Sequence, residues 1–136
     1  MAFADSQSGA IITHGEVLAT IKLAGAVVKG DAVGFSGGWK QALATVGTGL
    51  VQMRCVAGED GVTGQEITAY FGDVELADRV TGATVGGAVY VAEGTSVGMY
   101  TQTAPTTTGD SNKIVGYAVT ATRLHVMPHA NVDSVA

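Results

Sequence analysis

The single cysteine, Cys55, and the three histidines, His14, His125 and His129, are the side chains of this 136-residue chain with the most chemistry to offer. A thiol beside an imidazole is the pattern of nucleophilic catalysis, in which the histidine takes the proton and the thiolate attacks. The stretch Leu50-Val51-Gln52-Met53-Arg54-Cys55-Val56 points away from that use. It alternates with period two, and Cys55 falls on the apolar side with Val51 and Met53, where a buried, inert thiol belongs. His125 and His129 are four apart, the spacing of two metal ligands on one helix face, but Pro128 follows a β-type run there and no helix is expected. Glu59, Asp60, Asp73, Glu75 and Asp78 do not form the alternating acidic run closed by glycine that a calcium loop uses, so they read as solvated turn carboxylates. No G-x-S-x-G, no G-x-x-x-x-G-K and no G-x-G-x-x-G behind a strand occurs. Trp39 offers a ring that stacks on a sugar or a base, or equally lids a core or meets a subunit. The expectation is a protein with no catalytic, cofactor or metal site, and not an enzyme.

The elements that hold these side chains are short strands. Val85-Gly86-Gly87-Ala88-Val89-Tyr90-Val91, closed by Glu93-Gly94, has an earlier copy 56 residues upstream in Lys29-Gly30-Asp31-Ala32-Val33-Gly34-Phe35, closed by Gly37-Gly38. In both, the first glycine permits a positive φ, and the alternation behind it sets Val33 with Phe35, and Val89 with Val91, on one sheet face. Within Ile11 to Leu23, Val17, Ala19, Ile21 and Leu23 alternate as one strand after the His14-Gly15 turn. Trp39 to Val46 and Leu50 to Val56 read as strands, Gly58-Glu59-Asp60-Gly61 as a turn, and Gln65 to Phe71 pairs with Val74 to Val80 across Gly72-Asp73 as a hairpin. Thr101 to Gly109 is a loop, and Ile114 to Val119 and Thr122 to Met127 are the last strands. About ten short strands at intervals of roughly ten residues, without a helical period, predict an all-β fold, a small β-sandwich or barrel. Residues 1–10 are expected to form a flexible N-terminal arm, 11–128 a single β domain and 129–136 a frayed tail.

Composition bears on partners. Charged residues make up 14% of the chain and glycines number 20, so the surface is short of the interspersed charge that keeps a free monomer apart from its neighbours. The net charge is −5, and the seven basic residues are scattered singly, which speaks against direct nucleic-acid binding. The start lacks the basic and apolar regions of a signal peptide, and the longest apolar run, Leu23 to Val28, is too short to span a bilayer; a chain made in the cytoplasm, with no membrane partner, is expected.

From Leu23 onward the chain resembles a family of phage head proteins that act as capsid decoration or head-fibre proteins. The residues that carry the likeness are Ala24-Gly25-Ala26-Val27-Val28-Lys29-Gly30-Asp31-Ala32-Val33, Ala57-Gly58-Glu59, Gly72-Asp73-Val74-Glu75-Leu76, Val85 to Tyr90, Ile114 to Ala118 and Leu124-His125-Val126. The family usually has Gly-Asp where this chain has Gly86-Gly87. The resemblance implies a β-rich virion structural protein on the outer surface of a phage head, a homotrimer that clamps the major capsid protein. On that reading the arm is the expected capsid contact, through Phe3, Ala4, Asp5, Ser6, Gln7, Ile11 and Ile12, and Trp39, Arg54 and Tyr100 are expected at the subunit interface. Two alternatives are a phage tail or fibre module that binds a host surface through Thr101 to Gly109 and Trp39, and a biotinyl or lipoyl carrier domain. The second is similar only in Val28-Lys29-Gly30-Asp31-Ala32-Val33 and lacks the modified lysine at a hairpin tip.

Overall fold

Short apolar runs punctuated by glycine become strands throughout the computed structural model, which describes residues 2–47, 49–128 and 135. Among the described residues there are thirteen strands and no helix: β1 (Ala4–Asp5), β2 (Ile11–Gly15), β3 (Leu18–Lys22), β4 (Ala32–Phe35), β5 (Trp39–Gln41), β6 (Met53–Ala57), β7 (Glu66–Tyr70), β8 (Val74–Ala77), β9 (Val80–Thr81), β10 (Ala88–Val91), β11 (Tyr100–Thr101), β12 (Ile114–Thr120) and β13 (Arg123–Val126). A six-stranded sheet has the order β11-β10-β12-β13-β8-β2, a five-stranded sheet the order β3-β7-β6-β4-β5, and β1 pairs with β9. One core joins the sheets: Ala32, Met53 and Val56 of the five-stranded sheet pack with Val74, Leu76, Val89, Val91, Val115, Leu124 and Val126 of the six-stranded one. The fold is therefore a small all-β sandwich, with alternate residues facing inward as the pleat requires.

The hairpin expected across Gly72-Asp73 does not form. β7 pairs with β3 in one sheet and β8 pairs with β2 in the other. Between them the pairing continues around a corner, where Glu16 N–H donates to Asp73 O, Gly72 N–H to Glu16 O and Phe71 N–H to Val17 O. Ile11 to Lys22 is thus one arm of a bent ribbon, split into β2 and β3 rather than a single straight strand. The bend brings the two chains so close that a Cβ at Gly72 would lie 2.9 Å from Glu16 Cβ. Val17, at the turn of the corner, takes φ 55°, a conformation that a β-branched residue resists.

A second apolar layer covers the far face of the five-stranded sheet, built from Ile21, Leu23, Val27, Val33, Cys55, Ala57, Ile67 and Ala69. The register of β4 on β6 shifts, Val33 opposing Cys55 but Gly34 opposing Met53, so that Arg54 is an extra residue in the ladder. This bulge overturns the expectation that Met53 and Cys55 share a face: Met53 enters the core between the sheets and Cys55 the outer layer. The two glycine-led units occupy matching places in opposite sheets, β4 and β10, and their first glycines have φ 92° at Gly30 and φ 78° at Gly86. Their faces differ, however, since Val33 turns away from the shared core and Val89 into it.

The arm has partners in the body. Ala4 and Asp5 lie opposite Thr81 and Val80, and Phe3 packs on the core. Of the tail expected to fray, residues 129–134 and 136 lie outside the described residues, and Val135 exchanges backbone hydrogen bonds with Gly109 and Asp110.

Candidate functional site

Two features of the structure stand apart from ordinary packing. The first lies on the outer face of the five-stranded sheet. β4 and β5 turn at Ser36-Gly37-Gly38, which sets Phe35 opposite Trp39. The rings meet edge to face at 5.3 Å and 78°, and Trp39 meets Phe71 in the same way at 5.5 Å and 86°. The outer apolar layer supports the inner end of this ladder, for Trp39 and Phe71 pack against it, while Phe35 is 59% exposed. Val17, hydrogen-bonded by its carbonyl to Phe71, is 65% exposed. Aromatic rings held rigid by one another and open on one side make a low-entropy contact surface.

The second is a buried charge cluster under the arm. Arg79 Nε donates to Asp5 Oδ1 at 2.8 Å and its Nη2 to Asp5 Oδ2 at 3.1 Å, a two-pronged carboxylate pair, while Nη1 lies 2.8 Å from Asp31 Oδ1. All three side chains are at most 1% exposed. The remaining capacity is taken up: Arg79 Nη2 donates to Gly98 O, Tyr100 N–H to Asp5 Oδ2, Gln41 and Val28 N–H to Asp31 Oδ2, and Gln7 to Asp31 Oδ1. Burial works against the charge of Arg79, but its bond to Asp5 and the nearby negative charges outweigh it and hold the guanidinium above its ordinary range. The guanidinium sits 5.3 Å above the ring of Tyr100, whose hydroxyl donates to Gly30 O; burial drives that phenol well above its usual pKa.

These positions bear on two of the expected contact residues. The carboxylate of Asp5 is taken up by Arg79 and Tyr100. Tyr100, 2% exposed, lies beneath the arm rather than on the open surface, and its N–H is spent on Asp5. Ala4 and Ser6 stay on the surface, Ser6 bonding to Arg79 O through both its N–H and its hydroxyl; Gln7 reaches inward to Asp31 and Val97 O. Ile11 is 50% exposed on β2, Ile12 packs on the core, and Arg54 folds back on Met53 O. The structure thus gathers Asp5, Ser6 and Gln7 around Arg79 and Asp31, a grouping hidden in the sequence because Asp5, Asp31 and Arg79 each look like an isolated charge. Trp39 is half-buried and belongs to the aromatic ladder.

The chemistry-bearing side chains stay apart. Cys55 is fully buried in the outer apolar layer, and burial pushes its thiol up to about 12. On the outer face of the six-stranded sheet, Tyr117, His125, Glu75 and His14 stand opposite one another across β12, β13, β8 and β2. The Tyr117 ring stacks on His125 at 5.2 Å, His125 lies 3.5 Å from Asp73, and His14 lies 2.7 Å from Glu16. Among the described residues no group of three or more His, Cys, Asp or Glu side chains is arranged to hold a metal. The carboxyls of Glu93 and Asp110 influence each other, which raises the first and lowers the second, and Asp110 also accepts from Val46 N–H.

No protein-family model, no curated protein and no solved structure matches the chain.

Proposed function

We propose that the chain is a virion structural protein that decorates and stabilises the outer surface of a phage capsid, acting as a homotrimer through docking rather than catalysis. The observation that carries this reading is the aromatic ladder Phe35–Trp39–Phe71, open to solvent at Phe35, with the exposed Val17 bonded through its backbone to Phe71. Each large apolar side chain that a partner closes off contributes about 1.5–3 kcal/mol, so Phe35 and Val17 give one subunit only weak attachment. Three copies fixed in one particle multiply such contacts, because the second and third bind at high effective concentration. The partner is the major capsid protein. The capsid contact first assigned to the arm moves on this reading to the ladder, since the arm's carboxylate is already engaged.

The test uses heads of the encoding phage prepared without this protein. Purified chain added back should bind in hundreds of copies per particle, and Phe35→Ser, a change at an exposed position, should weaken binding at least tenfold while leaving circular dichroism unchanged. A few copies located at the tail would favour the host-adhesion reading, and undiminished decoration by the Phe35→Ser chain would remove the ladder from the contact.

A further inference from the structure

We infer that the arm of one copy docks into the Arg79 socket of the next, so that copies of this chain are joined by exchanged N-terminal arms. The socket is made wholly by residues outside the arm: Arg79 and Asp31 take the carboxylate and amide of Asp5 and Gln7, Tyr100 N–H takes the second oxygen of Asp5, and Val97 O accepts from Gln7. The bonds to Asp5 form equally well with an arm from a neighbouring copy. Exchange therefore keeps the Arg79 and Tyr100 contacts and puts at stake only those of Gln7, and the hinge and the protein concentration decide which form dominates.

The hinge favours exchange. Gln7 has φ 54° and Gly9 φ 70°, so the chain doubles back within three residues to put its own arm in its own socket. A side-chain-bearing residue in the left-handed region is strained, and short strained hinges are the setting in which arms swap. Among the described residues Ser8 hydrogen-bonds to Ser6 alone, so straightening the hinge breaks no bond of Ser8 to the described body. Extended, residues 7–9 span at most about 10 Å, so the receiving copy must abut the donor at the rim where β9 lies. The contact is head to tail, socket of one copy against arm of the next, and closes into a ring when the rotation between copies fits, as in a trimer. The inference does not depend on a capsid.

Disulfide trapping tests it. Ala4 and Thr81 are opposed across β1 and β9, and both are exposed. Cross-strand neighbours lie within the Cα separation that a disulfide accepts. In a Cys55→Ala background, a chain with Ala4→Cys is mixed with a differently sized chain carrying Thr81→Cys, and oxidised. Each chain has one thiol, so the linkage between them forms only when the arm of one copy lies in the socket of another. The expected result is a heterodimer several-fold above either homodimer, rising with protein concentration. A second preparation places both cysteines in one chain, and oxidation should then yield covalent multimers on a non-reducing gel. Heterodimer no more abundant than the homodimers, together with monomeric product alone from the doubly substituted chain at every concentration, overturns the inference.

Discussion

Replacing Asp5 by alanine removes one partner from a fully buried ion pair, and the structure sets the size of the loss. Asp5 accepts four hydrogen bonds, from Arg79 Nε and Nη2, Tyr100 N–H and Gln7 N–H, at 2.8–3.1 Å. Deleting one member of such a pair typically costs about 3–5 kcal/mol because the other charge stays behind, desolvated. Here Arg79 keeps Asp31 at 2.8 Å and Gly98 O at 3.0 Å, so the lower figure of about 3 kcal/mol applies. Against a total of about 5–15 kcal/mol for a domain, that is a large fraction. In urea, where each molar unit removes about 1–3 kcal/mol, the midpoint should fall by about 1–3 M with little change in slope. Asp5→Asn, which keeps oxygen and shape but not charge, should lose less. The loss is the same whichever copy supplies the arm, provided protein concentration is held fixed. A midpoint for Asp5→Ala within a few tenths molar of the parent would mean that the cluster contributes nothing and that the arm is bound by something other than its carboxylate.

Gly30→Val and Gly86→Val should both destabilise, but unequally: each meets an unfavourable positive φ worth about 1 kcal/mol, and only Gly30 adds a clash, its Cβ falling 2.8 Å from Ala10 Cβ and 3.3 Å from Arg79 Nη1. Thermal melts giving equal shifts for the two would contradict the packing at Gly30. Cys55 should react with a thiol reagent far more slowly in the native than in the urea-unfolded protein, as a buried thiol held at about 12 supplies almost no thiolate at neutral pH. Since its folded pKa lies above the ordinary 9.0, its contribution to stability is full below pH 9 and is lost as pH rises toward 12; Cys55→Ala should flatten that part of the stability profile, and an identical alkaline slope in both proteins would refute it.

Strand existence was legible because glycine punctuation and period-two alternation are local signals, and β4, β10, β12 and β13 lie where those signals put them. The corner at Glu16–Val17 and Phe71–Asp73 was not. A Gly-Asp step between two apolar runs has the chemistry of a hairpin turn, and nothing local distinguishes it from a point where a ribbon passes from one sheet to another. Gly72 is required there by the approach of Glu16, more than fifty residues distant in sequence. The bulge at Arg54 was hidden for a similar reason, since one extra residue reverses the faces of everything before it and leaves the alternation intact. Arg79 and Asp5 are 74 residues apart, and a lone charge in a sequence carries no sign of its partner.

The cluster also changes what the low charge content means. The chain has seven basic and twelve acidic residues, and Arg79, Asp31, Asp110 and Lys113 are buried, as is the side chain of Asp5. Lys113 spends its ammonium on the carbonyls of Met53 and Pro128. Charges withdrawn in this way leave a surface poorer in ions than the composition alone implies, while Ile11, Val17, Leu18, Phe35, Val62, Val85 and Ile114 are each at least half exposed. Scattered singly, such residues are ordinary, and it is Phe35, joined edge to face to Trp39, that stands on a rigid support. Interior ions fix the arm's register, and on the proposed reading the exterior apolar groups supply the adhesion. Supercharging the outer face of the five-stranded sheet should therefore raise the solubility of the isolated chain and lower its attachment in the same step. A variant with added surface glutamates that gained solubility and lost no attachment would separate the two and place the contact on another face.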